Sequence, residues 1–188
     1  AKKLGVLRSL TAADQALFER AEALYPLHPF SIAALAVVAK RYGQSERSFH
    51  AFLRGNEQLG LRDFADRHEV DPTVWYRLPE VFDYLASGNG LRFRDLSAER
   101  RWAFALASME RQTFDGEVLR VLKSIAVLEL VSASLGVPIT AETVAFALGD
   151  ATKASVSKHC DSLVEQGLLV RRRNKAEYAF GVSEAVNI

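Results

Sequence analysis

The hydrophobic pattern is most regular between Phe114 and Gly181, where it runs through two helical periods and then changes to a strand period. The apolar run FDGEVLRVLKSIAVLELVSA predicts one long helix. A shorter helix opens at Pro138-Ile139-Thr140, where the Thr140 hydroxyl can accept orphan N–H groups and Glu142 complements the helix dipole. Gly149-Asp150-Ala151 makes a tight turn into an amphipathic helix from Thr152 to Gln166, and Gly167 stops it. In that last helix Val156, Cys160 and Leu163 form an inward stripe, with Ser155, His159 and Ser162 as a polar stripe beside it. After Gly167 the period falls to two. Leu168 and Val170 alternate in LLVRR, Tyr178 and Phe180 alternate in KAEYAFG, and the two runs meet at Arg173-Asn174. Three helices followed by a basic hairpin predict a winged helix-turn-helix.

Upstream the chain reads as helices alone. Thr11 and Asp14 have capping-box spacing and introduce a helix to Tyr25, with Leu17, Phe18, Ala21 and Leu24 on its apolar face. The two prolines of YPLHPF hold the chain extended. Ser31 to Tyr42 is apolar almost all round and is expected at the centre of a core, with Gly43 ending it. Ser45 would cap the next helix, with Phe49, Phe52 and Leu53 inward, before Gly55 and Gly60 break the chain. Asp71-Pro72 reads as a cap followed by a first-turn proline, and Leu78-Pro79 as the start of a helix buried through Val81, Phe82 and Leu85. Ser87-Gly88-Asn89-Gly90 ends that helix. Ser97 then caps one through Arg111, with Trp102, Ala105, Leu106 and Met109 inward. The expected fold is mainly α: a helical domain over residues 1–112, then a winged helix-turn-helix domain over 113–188 with a small β-hairpin.

Composition narrows this little. The 188 residues are 49% hydrophobic and 25% charged, as in ordinary core-forming proteins. A net charge of +1 gives no global attraction to nucleic acid, so any attraction must be local. A lone cysteine, Cys160, cannot form an internal disulfide and sits on an apolar stripe, which suits a reduced cytoplasmic protein. The SIAALAVVA run is cut off by Lys40 and Arg41 well short of the ~20 apolar residues of a membrane span, and no secretory leader is visible. The chain begins at Ala1 without a methionine and is expected to be a piece of a longer protein.

No catalytic constellation is visible. The phosphate-cradling GxxxxGK[ST] pattern is missing, and GNG at 88–90 has no lysine in place. His28, His50, His68 and His159 lack the paired spacing of a zinc site. Ser48 and His50 point apart on a helix, and Asp63 and Asp66 are paired carboxylates in a solvated helical context. DNA contact is the positive expectation: Lys153, Ser155, Lys158 and His159 on the last helix, with Arg171, Arg172, Arg173 and Lys175 on the wing, would meet phosphates and bases. The plainer alternative is that the triple arginine is a solvated hairpin edge. Arg47 stands in the first turn of a helix, where the dipole disfavours a cation, so it is a candidate for an anionic partner; the plainer alternative is an exposed arginine paired with Glu46 or with a neighbour such as Asp14.

YPLHPF, then RYGQSERSFHAFL, then YRLPEVFDYL resemble the region that follows the nucleotide-binding core in large bacterial P-loop ATPases of the AAA+ and STAND type. Some of those belong to phage-defence systems such as bacteriophage exclusion, and the arrangement is similar to that of origin-recognition-type initiator ATPases. The match covers Leu24 to Tyr84 by motif and extends to Gly181 by architecture, with Ser45 where asparagine is usual. The resemblance implies a helical lid plus winged helix. ATP, Mg and the Walker motifs would belong to an upstream core of the same protein, and other subunits or double-stranded DNA would be partners. It also implies a sensor-like Arg47 reaching nucleotide phosphates, for which a guanidinium fork is well suited. On this reading the chain alone does no chemistry. The rival expectations are a stand-alone winged-helix transcription regulator and a protein–protein adaptor.

Overall fold

The structure is a computed structural model that describes residues 24–42, 46–87, 91, 96–172 and 176–181, and of residues 46–49 the backbone alone. In chain order the described elements are α1 (Pro29–Tyr42), α2 (Glu46–Arg54), α3 (Leu61–Arg67), α4 (Leu78–Ala86), α5 (Leu96–Arg111), α6 (Gly116–Leu135), α7 (Ala141–Leu148), α8 (Lys153–Glu165), β1 (Leu169–Arg171) and β2 (Tyr178–Phe180). The protein is thus mainly helical, with a two-stranded antiparallel sheet at its end.

Most of the described elements pack around α6. The Asp115 side chain accepts the Glu117 N–H at 3.0 Å to open this helix, and Gly136 at φ 63° closes it. Between these caps Val121, Leu122, Ile125, Val127, Leu128 and Val131 are withdrawn from water, because α1, α4, α5, α7, α8 and β2 all pack on this one helix. Each such side chain contributes about 1.5–3 kcal/mol by its burial. The apolar cluster is continuous across residue 112: Phe30, Leu78, Val81 and Phe82 belong to it together with Val144, Val156 and Leu169.

Polar ties fix the register of these helices. The Tyr42 hydroxyl donates to the Leu130 carbonyl at 3.3 Å, and Lys123 meets Asp83 at 2.7 Å, so α1 and α4 are each pinned to α6. Tyr76 anchors the segment before α4. Its N–H donates to the Pro26 carbonyl at 2.7 Å, its carbonyl accepts from His28, and its buried hydroxyl donates to the carbonyls of Leu59 and Glu80. Removal from water, then the charge of Glu80, pushes that phenol well above its usual range.

Two expectations are corrected. Asp71-Pro72 does not start a helix. One Asp71 carboxylate oxygen accepts the Thr73 N–H and the Thr73 hydroxyl, both at 2.7 Å, as a cap would, and the Val74 N–H donates to the Asp71 carbonyl at 2.9 Å, but the chain stops after this single turn, with the Tyr76 N–H given to the Pro26 carbonyl. The inward set of the hairpin is also shifted by one residue. Gly167 at φ 74° lets the Leu168 N–H return to the Leu163 carbonyl at 3.0 Å, so Leu168 is consumed by the end of α8 and the strand begins at Leu169. Leu169 is therefore buried opposite Phe180, while Val170 turns outward and is 45% exposed. Tyr178 and Phe180 are buried as expected.

Other boundaries move less. α1 starts at Pro29 rather than Ser31, since a proline is well suited to a first helical turn, and α5 starts at Leu96, one residue before Ser97. In α5 Trp102 and Ala105 are buried, with Leu106 and Met109 partly so. The expected helix from Thr11, the Ser45 cap, the Phe49 side chain and Gly88-Asn89-Gly90 lie outside the described residues.

Candidate nucleic-acid or partner interface

α8 and the strands after it form the part of the surface on which the sequence placed its binding residues, with α7 packed beside α8. Thr140 and Thr152 cap α7 and α8 as expected: the Thr143 N–H reaches Thr140 Oγ1 at 3.2 Å, and the Ser155 N–H reaches Thr152 Oγ1 at 3.1 Å. Val156, Cys160 and Leu163 are sealed in the core, which fixes the rotation of α8 and so decides which residues face out. Burial pushes the Cys160 thiol up to about 12, with Asp161 adding to the shift, so this sulfur is an inert core group.

On the outward side Lys153 and Lys158 are exposed, and neither forms an ion pair among the described residues. Ser155 and His159 are half-buried. His159 Nε2 lies 3.2 Å from a Glu117 carboxylate oxygen, which ties α8 back to α6. The two described arginines of the hairpin are also engaged. Arg171 is bonded to Asp161 on α8 and lies over the Tyr178 ring, 5.6 Å from its centroid. Arg172 approaches Glu177 at 4.0 Å. The expected outward-pointing cluster is therefore partly neutralised by carboxylates of the same chain. Arg173, Lys175 and the Arg47 side chain lie outside the described residues.

A groove beside this surface contains residues that the sequence reading did not single out. A cavity of about 250 Å³ reaches from Glu117 and Arg120 to Thr152, Ser155 and His159. A second, of about 510 Å³, lies on the other side of Arg120 and Asp150 and is lined by Trp75, Arg77, Glu80 and Gly149. Arg120 Nη1 meets Asp150 Oδ2 at 2.6 Å. Burial raises the Asp150 carboxyl, but the hydrogen bond and charge of Arg120 outweigh it and hold the group below its usual range. Arg77 rests on the backbone of Gly149, where a Cβ would overlap its guanidinium. Burial lowers the Arg77 pKa, the charges of Asp150 and Glu80 oppose that change, and the Arg120 charge adds to it.

Of the histidines described here, His28 is the most withdrawn. It packs between Trp75 and Phe146, at ring separations of 6.3 and 5.3 Å, and its Nδ1 accepts the Phe30 N–H at 3.3 Å. Burial and then Arg77 push it down to about 4, so it is a neutral packing residue. Among the described residues no group of three or more His, Cys, Asp or Glu side chains could hold a metal ion, and no helix is long and apolar enough to cross a membrane. No family model, curated protein or solved structure matches the chain.

Proposed function

We propose that the chain is a non-catalytic binding module of a P-loop ATPase of the AAA+/STAND type, in which a lid-like helical part and a winged helix-turn-helix couple nucleotide state to DNA or to a protein partner. The resemblance of YPLHPF, RYGQSERSFHAFL and YRLPEVFDYL supports the ATPase context. The observation that carries the binding role is on α8: with Val156, Cys160 and Leu163 held in the core, Lys153 and Lys158 stand exposed and unpaired among the described residues. Unpaired lysines on a helix of fixed rotation are suited to phosphates, whose neutralisation releases counterions.

Fluorescence anisotropy of a labelled duplex, titrated with the 188-residue chain at several salt concentrations, tests the DNA part. Lys153→Gln and Lys158→Gln should each weaken binding for all sequences and lower the salt slope by ~1. Wild-type affinity in the double variant would reject it. Joined to its ATPase core, the chain should alter turnover, and Arg47→Ala should remove that effect.

A protein partner is the second reading. The pairing of Arg171 with Asp161 and of Arg172 with Glu177 favours it, since arginines committed to their own chain are less open to phosphates. Unchanged retention on DNA in the Arg171→Glu, Arg172→Glu double variant would support this reading.

A further inference from the structure

We propose that the groove between α4 and the α7–α8 turn is a binding site for a phosphate group, held by the guanidinium groups of Arg77 and Arg120. Arg77 is held in place from both directions along the chain. Behind it, Tyr76 is buried and bonded to Pro26 and Leu59; ahead of it, Glu80 accepts the Arg77 N–H at 2.8 Å. Its fork lies on the Gly149 backbone and forms no ion pair with any described residue. A half-buried guanidinium has lost water on one side, and donors left without acceptors there carry a penalty that an oxyanion would remove.

Arg120 reaches the same groove from α6. Asp150 takes one of its nitrogens, but that carboxylate is 62% exposed and is free to yield the position to a ligand. Of the other acids nearby, Glu117 is engaged with His159, while Glu80 gives one oxygen to the Arg77 N–H and lines the same cavity, so the two guanidinium groups face the charges of Asp150 and Glu80 until a phosphate competes for them. Two planar forks facing one cavity of about 510 Å³ are suited to the tetrahedral oxygens of a phosphate, which accept bidentate bonds. The smaller cavity beyond Arg120 continues to Thr152 and Ser155 on α8, so the groove opens onto the surface proposed above for DNA.

The phosphate could belong to a DNA backbone, in which case the site rests on the DNA reading, or to a small phosphorylated compound, in which case it does not. Pyrophosphate titrated calorimetrically and a labelled duplex followed by anisotropy, both with the 188-residue chain, separate the two sources. Arg77→Gln and Arg120→Gln should each weaken one of the probes about tenfold, as expected for the loss of a charged hydrogen-bond pair. A loss of pyrophosphate binding supports a small phosphate compound where duplex affinity is unchanged, and equally where the wild-type chain binds no duplex. A loss of duplex affinity with a salt slope lowered by ~1 supports a backbone phosphate. Arg120 forms an exposed pair, so Arg120→Gln keeps the test open if Arg77→Gln fails to fold. The proposal is overturned if neither probe binds the wild-type chain, or if folded variants of both arginines bind both probes as the wild type does, while the lysine results stand on their own.

Discussion

Gly149→Ala perturbs the turn between α7 and α8 in two separable ways. The residue has φ 78° and ψ −29°, a conformation that costs a residue with a Cβ about 1–2 kcal/mol. Alanine recovers roughly 0.4–1 kcal/mol by restricting the unfolded chain, so the backbone part alone should be small. The second part is steric. The new methyl would overlap the Arg77 guanidinium, which must leave its seat at a cost of about 1–3 kcal/mol for an overpacked contact. Gly167→Ala is the control, since that glycine has a similar φ of 74° and nothing within 4 Å of where a Cβ would stand. Urea denaturation should show Gly149→Ala losing about 1–3 kcal/mol more than Gly167→Ala, or ~2–4 °C of Tm per kcal/mol in a chain of this size. In an Arg77→Ala background the excess should vanish. Equal losses for the two glycines, or an excess that survives removal of Arg77, would refute the placement of the guanidinium on this turn.

Further outcomes follow from single side chains. Glu129 accepts the β2 Phe180 N–H at 3.0 Å and lies 3.8 Å from Arg101, with only 5% of its side chain exposed; burial raises its carboxyl above 4.5, although that hydrogen bond and the charges of Arg101 and Arg172 oppose the shift. Its contribution to stability is full below the unfolded pKa and falls as pH rises through the folded one, so the stability of Glu129→Gln relative to wild type should increase with pH across that window. Denaturation curves at stepped pH check this, and a relative stability that falls with rising pH would refute it. Glu129→Ala leaves the Phe180 N–H without its acceptor and should cost about 1–3 kcal/mol by the same measurement. Ser124 is buried in α6 with no partner for its hydroxyl among the described residues, so Ser124→Ala should be neutral or stabilise by about 0.5–1 kcal/mol in urea; a clear loss would reveal a missed bond.

How much of this was legible depended on the range of the interaction. The inward stripe Val156, Cys160 and Leu163 and the caps Thr140 and Thr152 are set by neighbours within one or two helical turns, and they can be read from spacing alone. The hairpin register failed by one residue because Gly167 has two roles, ending α8 and drawing Leu168 back to Leu163, and only coordinates show how many residues that return uses. Asp71-Pro72 looks like a helix start and makes the capping bond to the Thr73 N–H, but the turn does not propagate because the Tyr76 N–H is taken by the Pro26 carbonyl, a partner 50 residues away that no local pattern shows. Arg77, Arg120 and Asp150 come from three separate segments, so no local pattern could have joined them. The partners of Arg171 and Arg172 are nearer in sequence, but the strand phase decides that Arg171 turns to Asp161 on α8 and Arg172 to Glu177 beside β2.

Amide hydrogen exchange of the 188-residue chain, with and without saturating duplex DNA, is the most direct measurement of the binding role assigned to α8. Slowed exchange concentrated from Gly149 through His159, with α1 unchanged, is the predicted result. Exchange that is unaltered over those residues, or protection confined to a different face, would contradict it.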